Sequence, residues 1–356
     1  MNTHRYIRQT SLKDFGPEAQ QKLTNARVLV VGVGGLGIPA LQYLNAMGIG
    51  TLGMVEQDIV ELTNLQRQVL YGENDMGRPK IQVALEKLQA QNSETRFNSY
   101  DTFLTKDNAL QIIGNYDVVV DASDNFPTRY LINDACVMLN KPFVYGALHG
   151  FEGQVSVFNH AGGPTYRCLF PLMPSTDEIP NCNDNGVLGV IPGIVGNLQA
   201  LEAVKIIAGI GEVLSGKLLL FNGLNQSFQK ISFQLKPANL KITVLRDSYG
   251  QDQCVSVPSI SVHEFQELIA ANKPMQIIDV RTSEEYKNYH ITDAVHIPLH
   301  ELEDRVAEID LNQSVYFICQ SGKRSEMALE KLQEISPGTT LYNIFGGINM
   351  FLTTCS

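Results

Sequence analysis

The glycine-rich run Gly32–Gly37 constrains the fold of this chain more than any other feature of its sequence. The residues before it, Arg27–Val31, are mostly β-branched and apolar, which predicts a buried parallel strand. The residues after it, Ile38–Met47, predict a helix. A strand, a glycine turn and a helix in this order open a dinucleotide-binding βαβ unit, in which backbone N–H groups at the start of the helix hold phosphate.

Polar residues further along the chain indicate which nucleotide chemistry to expect. The second predicted strand, Thr51–Glu56, ends in an acid about 20 residues beyond the glycines, where such folds hold a ribose hydroxyl. The runs Asn64–Gln68 and Arg78–Lys80 add cations, and Asp121–Asn125 adds acids and an amide. Cleavage of ATP needs cations to offset phosphate charge, whereas hydride transfer does not. The series therefore favours ATP chemistry, with an NAD-dependent oxidoreductase as the disfavoured alternative.

Length and composition limit the class of protein. The 356 residues suit one large and one small domain, and 44% hydrophobic with 18% charged residues describes a globular chain with ample core. The net charge of −10 argues against general nucleic-acid binding. We find no apolar run that approaches the length of a membrane span, and Met1–Arg5 lacks the apolar core of a secretory signal. We therefore expect a cytoplasmic protein with no membrane or nucleic-acid partner.

The pattern of strands and helices predicts an α/β protein. Strand and helix signals alternate from Ala26 to about Asn140, as a doubly wound parallel sheet requires. A polar segment, Pro171–Asn185, predicts a mobile loop. Further predicted strands lie at 143–145, 154–158, 218–221, 230–235, 276–280 and 314–318, and further predicted helices at 194–208, 262–272 and 325–335. We predict a first domain over 1–245, a linker over 246–258 and a second domain over 259–356.

One cysteine stands in a pattern typical of sulfur chemistry. The six cysteines form no CxxC pair, which indicates thiols in a reducing compartment. Cys319 follows an apolar strand and begins the loop Cys319–Arg324, which leads into a helix. Backbone N–H groups at a helix start and the adjacent Lys323 and Arg324 favour the thiolate, the reactive form.

These motifs resemble those of the MoeB/ThiF/HesA family, relatives of ubiquitin-activating enzymes that adenylate the C-terminal glycine of small ubiquitin-like sulfur carriers. The resemblance runs from about Arg5 to Leu235 and includes Arg5–Gln9 and Gly186–Gly193. A second resemblance, to single-domain rhodaneses, covers about Ile260 to Leu352. Together they resemble the fused adenylyltransferase/sulfurtransferases, which implies a Rossmann-like doubly wound sheet of the MoeB/ThiF type plus a small α/β rhodanese domain.

The family resemblance implies roles for residues of the first domain. Asp124 would position Mg²⁺, and Arg8 would reach into the active site of a neighbouring subunit, which implies a homodimer. Asp58 has two open interpretations, a site residue or a cap of a helix or turn. The residues implied to bind ATP are Gly35, Glu56, Asp58, Asn64, Arg67, Lys80, Asp124 and Asn125. The residues implied to be catalytic are Arg8, Arg67, Lys80, Asp124, Cys182 and Cys319.

The resemblance also bears on the cysteines. Relatives hold a structural zinc with two CxxC pairs, but here the first pair reads Thr165-Tyr-Arg-Cys168 and the second is missing, so we expect no zinc. Apolar contacts of Leu240 and Ile242 would then stabilise that corner. Cys182 matches a cysteine that some relatives use for a covalent link to the carrier, with a bystander role equally open. In the rhodanese resemblance Cys319 carries a persulfide, cradled by Gln320, Ser321, Gly322, Lys323 and Arg324.

The implied enzyme uses ATP and Mg²⁺ to adenylate a ubiquitin-like sulfur carrier ending in Gly-Gly. The Cys319 persulfide, charged by a cysteine desulfurase or by thiosulfate, then converts the activated carboxyl into a thiocarboxylate, as in molybdopterin, thiamine or related sulfur-transfer pathways. The alternative from another class is a rhodanese-like domain that only docks partners. The presence of Cys319 in a cationic loop argues against this alternative.

Overall fold

The computed structural model describes residues 4–174, 186–246, 248–249, 259–271, 273–311, 313–320, 322–335 and 340–354. The chain divides into two compact units, 1–249 and 250–356. The elements of the first unit are α1 (Ile7–Thr10), α2 (Gly16–Asn25), β1 (Arg27–Val31), α3 (Gly37–Ala46), β2 (Thr51–Val55), α4 (Lys80–Gln91), β3 (Arg96–Tyr100), α5 (Ala109–Gly114), β4 (Val118–Asp121), α6 (Phe126–Met138), β5 (Phe143–His149), β6 (Glu152–Phe158), α7 (Tyr166–Leu169), α8 (Val190–Ala208), β7 (Lys217–Asn222) and β8 (Ser227–Ser232).

The first unit is built on one eight-stranded sheet in the order β3-β2-β1-β4-β5-β6-β7-β8. Strands β1 to β5 run parallel, and β6 to β8 extend the sheet by antiparallel pairing. Four of the five residues of β1 are buried, because both faces of a parallel sheet are covered. The order 3-2-1-4-5 is that of a doubly wound nucleotide-binding fold, so the predicted α/β class is confirmed.

The register of the parallel strands assembles one polar edge. Val31 pairs with both Val55 and Asp121, so β1, β2 and β4 end at the same level. The glycine loop follows β1, Glu56 follows β2, and the segment 121–125 closes β4. Ligands of doubly wound sheets bind at this edge.

Helix α8 begins one turn before the predicted helix 194–208 and packs against α2, α3 and three strands. Its 19 residues are long and apolar enough to cross a membrane by length and composition, so our reading that no segment reaches that length is wrong. Half of this apolar stretch is buried inside the unit. A helix that is apolar on all sides is typical of a protein core.

A buried polar network fixes the end of the first unit. Arg167 donates two hydrogen bonds of 2.7 Å to the Asp134 carboxylate, and the Tyr249 hydroxyl donates a third of 2.7 Å. All three residues are buried. The first unit therefore extends into the segment 246–258 that we predicted as a linker, and residues 250–258 lie outside the described part of the chain.

The elements of the second unit are β9 (Ser259–Ser261), α9 (Val262–Ala270), β10 (Gln276–Asp279), α10 (Ser283–Asn288), β11 (Val295–His296), β12 (Val315–Ile318), α11 (Lys323–Ile335), β13 (Leu341–Phe345) and α12 (Gly347–Thr354). They hold a five-stranded parallel sheet in the order β11-β10-β12-β13-β9. Strand β12 leads into the cysteine loop, and the helix after this loop begins two residues earlier than predicted.

Candidate active sites

The glycine loop between β1 and α3 has no space for side chains at two positions. A Cβ atom on Gly32, which has a φ of +95°, would lie 2.7 Å from the Ala122 carbonyl oxygen. A Cβ atom on Gly37 would lie 1.9 Å from the Gly32 carbonyl oxygen. The predicted site residue Gly35 faces the start of α8, since its Cβ would lie 3.0 Å from Pro192. Because these positions carry no side chains, the loop backbone can approach a phosphate closely.

Glu56 ties the second strand to the glycine loop. Its Oε2 accepts the Val33 backbone N–H at 2.9 Å, and its Oε1 accepts those of Gln57 at 2.9 Å and Asp58 at 3.0 Å. An ionised carboxylate has about four acceptor positions, so Glu56 retains the capacity to accept a ribose hydroxyl. The three backbone bonds hold the carboxylate in place for that role.

Two cations lie near this edge. Lys80 is the first residue of α4, is buried, and donates from Nζ to Asp58 Oδ2 at 3.0 Å. Arg67 is half-buried and donates from Nη1 to the Thr63 carbonyl at 2.9 Å. The Asp58 side chain thus contacts a predicted phosphate-binding cation directly.

Asn64 and Asn125 both have structural hydrogen bonds. Asn64 is buried, and its Oδ1 accepts the Glu61 N–H at 3.1 Å, which holds the turn before Arg67. Asn125 caps α6, since its Oδ1 accepts the Thr128 N–H at 2.9 Å. The predicted ATP contacts of both amides stay predictions.

The predicted metal-positioning residue and the predicted partner-reaching arginine are both exposed. Asp124 follows β4, and its Oδ1 accepts a hydrogen bond of 3.4 Å from Asn125 Nδ2. Arg8 lies on the short helix α1, so its predicted contact with a second subunit stays a prediction. The structure brings Gly35, Glu56, Asp58, Arg67, Lys80 and Asp124 to the carboxyl edge of one sheet.

Two buried side chains behind this edge were missed by the sequence analysis. The Tyr71 hydroxyl donates to the Val33 carbonyl at 2.9 Å, and burial raises the pKa of this phenol above its usual range. Arg129 donates to the Ser123 carbonyl at 3.1 Å from within α6. The only sequence signal for Arg129 is its spacing of four residues from the helix cap Asn125, which does not reveal that it is buried.

The cysteine loop of the second unit encloses a buried thiol. The Gly322 N–H donates to Cys319 Sγ at 3.1 Å, and the Ser325 hydroxyl lies 3.4 Å from the same sulfur. Gly322 has a φ of +96°, a backbone conformation that favours glycine. The Ile348 N–H donates to the Cys319 carbonyl at 2.9 Å, so α12 holds the loop from the other side. This arrangement suits a sulfur nucleophile.

The polar side chains of the loop are bonded to its surroundings. Arg324 donates two hydrogen bonds, of 2.7 and 2.6 Å, to Glu285, and this guanidinium lowers the pKa of Glu285 to about 2. Gln320 accepts a hydrogen bond of 3.2 Å from Arg281. Ser321 lies outside the described residues, as does Cys182 of the first unit, and Lys323 is the first residue of α11.

Hydrogen bonds hold the corner around Cys168, for which the family resemblance implied a zinc ligand. Cys168 Sγ accepts the N–H groups of Thr165 at 3.4 Å and Lys236 at 3.3 Å, and Asn239 Nδ2 at 3.4 Å. Burial opposes the thiolate, but these donors outweigh it and lower the pKa of Cys168. Leu240 is 37% exposed and Ile242 is half-buried, and the apolar stabilisation that we expected from them stays a prediction.

The absence of zinc itself stays a prediction. Within the described ranges, no group of three or more His, Cys, Asp or Glu side chains is placed to hold a metal ion.

Comparison with known proteins identifies the family. The model of the ThiF family matches residues 6–242, and that of the rhodanese-like domain matches residues 261–354. This chain belongs to the ThiF family. It is similar to the adenylyltransferase and sulfurtransferase MOCS3 of Arabidopsis thaliana, with 37% identity over 97% of this chain and 82% of that protein. The same-named protein of Xenopus laevis is 39% identical over 93% and 81%. The predicted enzyme class, an adenylyltransferase joined to a sulfurtransferase, is confirmed.

The first unit has a further relative without the second. The sulfur carrier protein adenylyltransferase of Thermus thermophilus is 53% identical over 65% of this chain and 88% of that protein. Among solved structures, Escherichia coli MccB with MccA-N7isoASN aligns with a TM-score of 0.60 and 22% identity, over 68% of this chain and 75% of that chain. MccB with ATP aligns with a TM-score of 0.56 and 23% identity, over 64% and 68%. At this identity the structures show a shared fold, which agrees with the doubly wound sheet.

Proposed function

We propose that this chain adenylates the C-terminal glycine of a ubiquitin-like sulfur-carrier protein and then replaces the activated oxygen with sulfur from Cys319. The observation that carries the proposal is the presence, in one chain, of a nucleotide-type sheet edge with two cations and of a buried cysteine in a closed loop. The first would activate a carboxylate, and the second would deliver the nucleophile.

In the first step, an oxygen of the carrier's terminal carboxylate attacks the α-phosphorus of ATP and pyrophosphate leaves. Both reactants are anionic, so Arg67 and Lys80 would offset their repulsion and the charge of the transition state. Lys80 is already charge-paired with Asp58 at 3.0 Å, and a phosphate oxygen would join or replace that partner. Glu56 would accept a ribose hydroxyl, and the backbone of Gly35 would approach the phosphates.

The residues at this edge fit Mg²⁺. This ion usually binds through one or two carboxylates together with substrate phosphates and water, and the exposed Asp124 and Asp58 offer such oxygens. When bound, Mg²⁺ would neutralise phosphate charge. Asp124 would hold the ion at the end of β4, where its backbone neighbours are fixed by hydrogen bonds.

In the second step, sulfur moves through Cys319. The Cys319 thiolate attacks the outer sulfur of thiosulfate and releases sulfite, or accepts sulfur from the persulfide of a cysteine desulfurase. The terminal sulfur of the Cys319 persulfide then attacks the acyl carbon of the adenylate, and AMP leaves. Two electrons from a thiol reductant cleave the resulting acyl disulfide, which yields the thiocarboxylate and regenerates Cys319.

Further features of the proposal come from the family resemblance. We propose a cytoplasmic homodimer in which Arg8 of each subunit completes the other's adenylation site. Cys182 would form a transient covalent link to the carrier. Molybdopterin, thiamine and related sulfur-transfer pathways are all compatible with this chemistry, and the identity of the carrier distinguishes them.

The test separates the two activities in the full-length chain. Wild type should exchange labelled pyrophosphate into ATP only when a purified ubiquitin-like protein ending in Gly-Gly is present, and should transfer sulfur from thiosulfate to cyanide. Asp124→Ala should abolish exchange and keep sulfur transfer, because the Mg²⁺ ligand lies in the other unit from Cys319. Cys319→Ala should do the reverse.

Two results would contradict the proposal. One is that wild type exchanges pyrophosphate into ATP without a carrier, or shows no exchange with any Gly-Gly protein tested. The other is a Cys319→Ala variant that still converts the carrier to its thiocarboxylate at the normal rate from thiosulfate, measured by the mass gain of one sulfur replacing one oxygen. The second result would leave the rhodanese-like unit with a docking role only.

A further inference from the structure

Arg129 is a buried cation of the first unit whose guanidinium lies near two aromatic rings. Its side chain is on α6 and is only 7% exposed. Its Nη2 donates to the Ser123 carbonyl, and its guanidinium lies 5.4 Å from the Phe126 ring centroid and 5.5 Å from that of Tyr145. Its Nε has no hydrogen-bond partner within the described part of the chain. Among the described residues no carboxylate lies within ion-pair distance of it. Burying a guanidinium is costly, and the nearby Asp121 carboxylate and the two rings offset part of that cost.

Asp121 ends β4, just before Ser123, and is buried with one of its carboxylate oxygens lacking a hydrogen bond among the described residues. Its Oδ1 accepts the Ser123 N–H at 3.1 Å and the Ser123 hydroxyl at 2.6 Å, whereas its Oδ2 has no partner. Burial raises the pKa of Asp121, and the charge of Arg129 acts in the opposite direction. Ser123 therefore has its N–H fixed by Asp121 and its carbonyl fixed by Arg129.

The next residue along the chain is Asp124, and the one after it is also fixed. Asn125 caps α6 through the Thr128 N–H at 2.9 Å. Asp124 thus projects to solvent between two residues whose backbone or side chain is anchored in the unit. Among the described residues, the direct hydrogen bond that Arg129 makes is to one of these anchors, the Ser123 carbonyl.

We propose that Arg129 is a positioning residue for the adenylation reaction. In this role Arg129 does not touch substrate. Through the Ser123 carbonyl it fixes the backbone that carries Asp124. Its positive charge attracts the two carboxylates of this segment, Asp121 and Asp124. The proposal rests on the proposed function, since it assumes that Asp124 holds Mg²⁺ with the nucleotide. Loss of Arg129 should therefore weaken the response to Mg²⁺ more than it weakens the fold.

The experiment measures binding of α,β-methylene-ATP to the full chain by calorimetry across a Mg²⁺ titration, with thermal unfolding in parallel. Arg129→Gln should raise the Mg²⁺ concentration at half-maximal binding by about tenfold, the effect typical of losing an outer-shell partner of a metal site. Arg129→Lys keeps the charge but loses the planar stacked group. Its Mg²⁺ concentration at half-maximal binding should therefore lie between those of Arg129→Gln and wild type. The matched control is Arg167→Lys, a buried arginine of the same unit that pairs with Asp134. It should lower the melting temperature without changing the Mg²⁺ requirement.

The proposal is overturned if Arg129→Gln melts earlier, as the control does, while its Mg²⁺ requirement equals that of wild type. If Arg129→Gln does not fold, Arg129→Lys decides: a Mg²⁺ requirement no higher than that of Arg167→Lys overturns the proposal, and a higher one supports it. Failure of the proposed function looks different, because wild type itself would then bind no α,β-methylene-ATP at any Mg²⁺ concentration.

Discussion

The ion pair between Arg324 and Glu285 should stabilise the second unit in a pH-dependent way. Two hydrogen bonds of 2.7 and 2.6 Å join the side chains, and each side chain is about one third exposed. The Arg324 guanidinium, together with the N–H and hydroxyl of Thr282, lowers the pKa of Glu285 from 4.5 to about 2. A full shift of this size corresponds to roughly 3 kcal/mol. Because solvent screens a partly exposed pair, we expect Glu285→Gln to cost about 1–2 kcal/mol near neutral pH.

The sign of the pH dependence follows from the direction of the shift. A carboxyl whose pKa is lower in the folded state stabilises the fold fully above its unfolded pKa of 4.5 and loses this effect as the pH falls toward about 2. Wild type should therefore lose more stability than Glu285→Gln between pH 5 and pH 3. The two proteins should approach each other in stability at the acidic end.

The assay is urea unfolding of the full chain at several pH values. The loss of thiosulfate sulfurtransferase activity, measured after return to neutral pH, reports on the second unit. Glu284→Gln is the matched control, since it removes the same charge from the exposed neighbouring position. Equal stability losses in the two variants at neutral pH would refute a specific role of the pair with Arg324. So would a difference between Glu285→Gln and wild type that does not shrink on acidification.

Other predictions concern the first unit. Arg167→Met should destabilise it by about 3–5 kcal/mol, because the buried Asp134 carboxylate loses both hydrogen bonds of its ion pair; pyrophosphate-exchange activity after urea challenge measures this loss. Tyr249→Phe should cost about 1–2 kcal/mol in the same assay, since it removes one hydrogen bond to a charged group. Purified protein should contain no stoichiometric zinc by elemental analysis, and a chelator should leave its melting temperature unchanged; about one zinc per chain would mean that ligands other than Cys168 exist.

Local patterns were sufficient for the parts of the fold that depend on neighbours in the sequence. The strand Arg27–Val31 and the glycine turn after it form as predicted, because an apolar run and a set of glycines determine both directly. The loop that begins at Cys319 also follows its buried strand as expected. Each of these features can be read within about ten residues.

Features that depend on distant contacts were missed or misplaced. The predicted strand 230–235 lies at Ser227–Ser232, because antiparallel pairing with Lys217–Asn222 sets its register. Helix α8 begins earlier than predicted, directly after Gly189, where a Cβ atom would lie 2.1 Å from the distant Gln66 carbonyl oxygen. Two of the three N–H donors to Cys168 lie 68 and 71 residues away along the chain, so no local pattern could reveal these two.

The hydrogen bonds around Cys168 also bear on how the protein is made in a cell. A corner closed by a metal ion is completed only when four thiolates are reduced together and the ion has been delivered. Here the donors to Cys168 Sγ are two backbone N–H groups and one side-chain amide, all of which are part of the chain itself. If the protein holds no zinc, as we predict, folding of this corner draws on no metal supply, and one sulfur atom takes part in closing it.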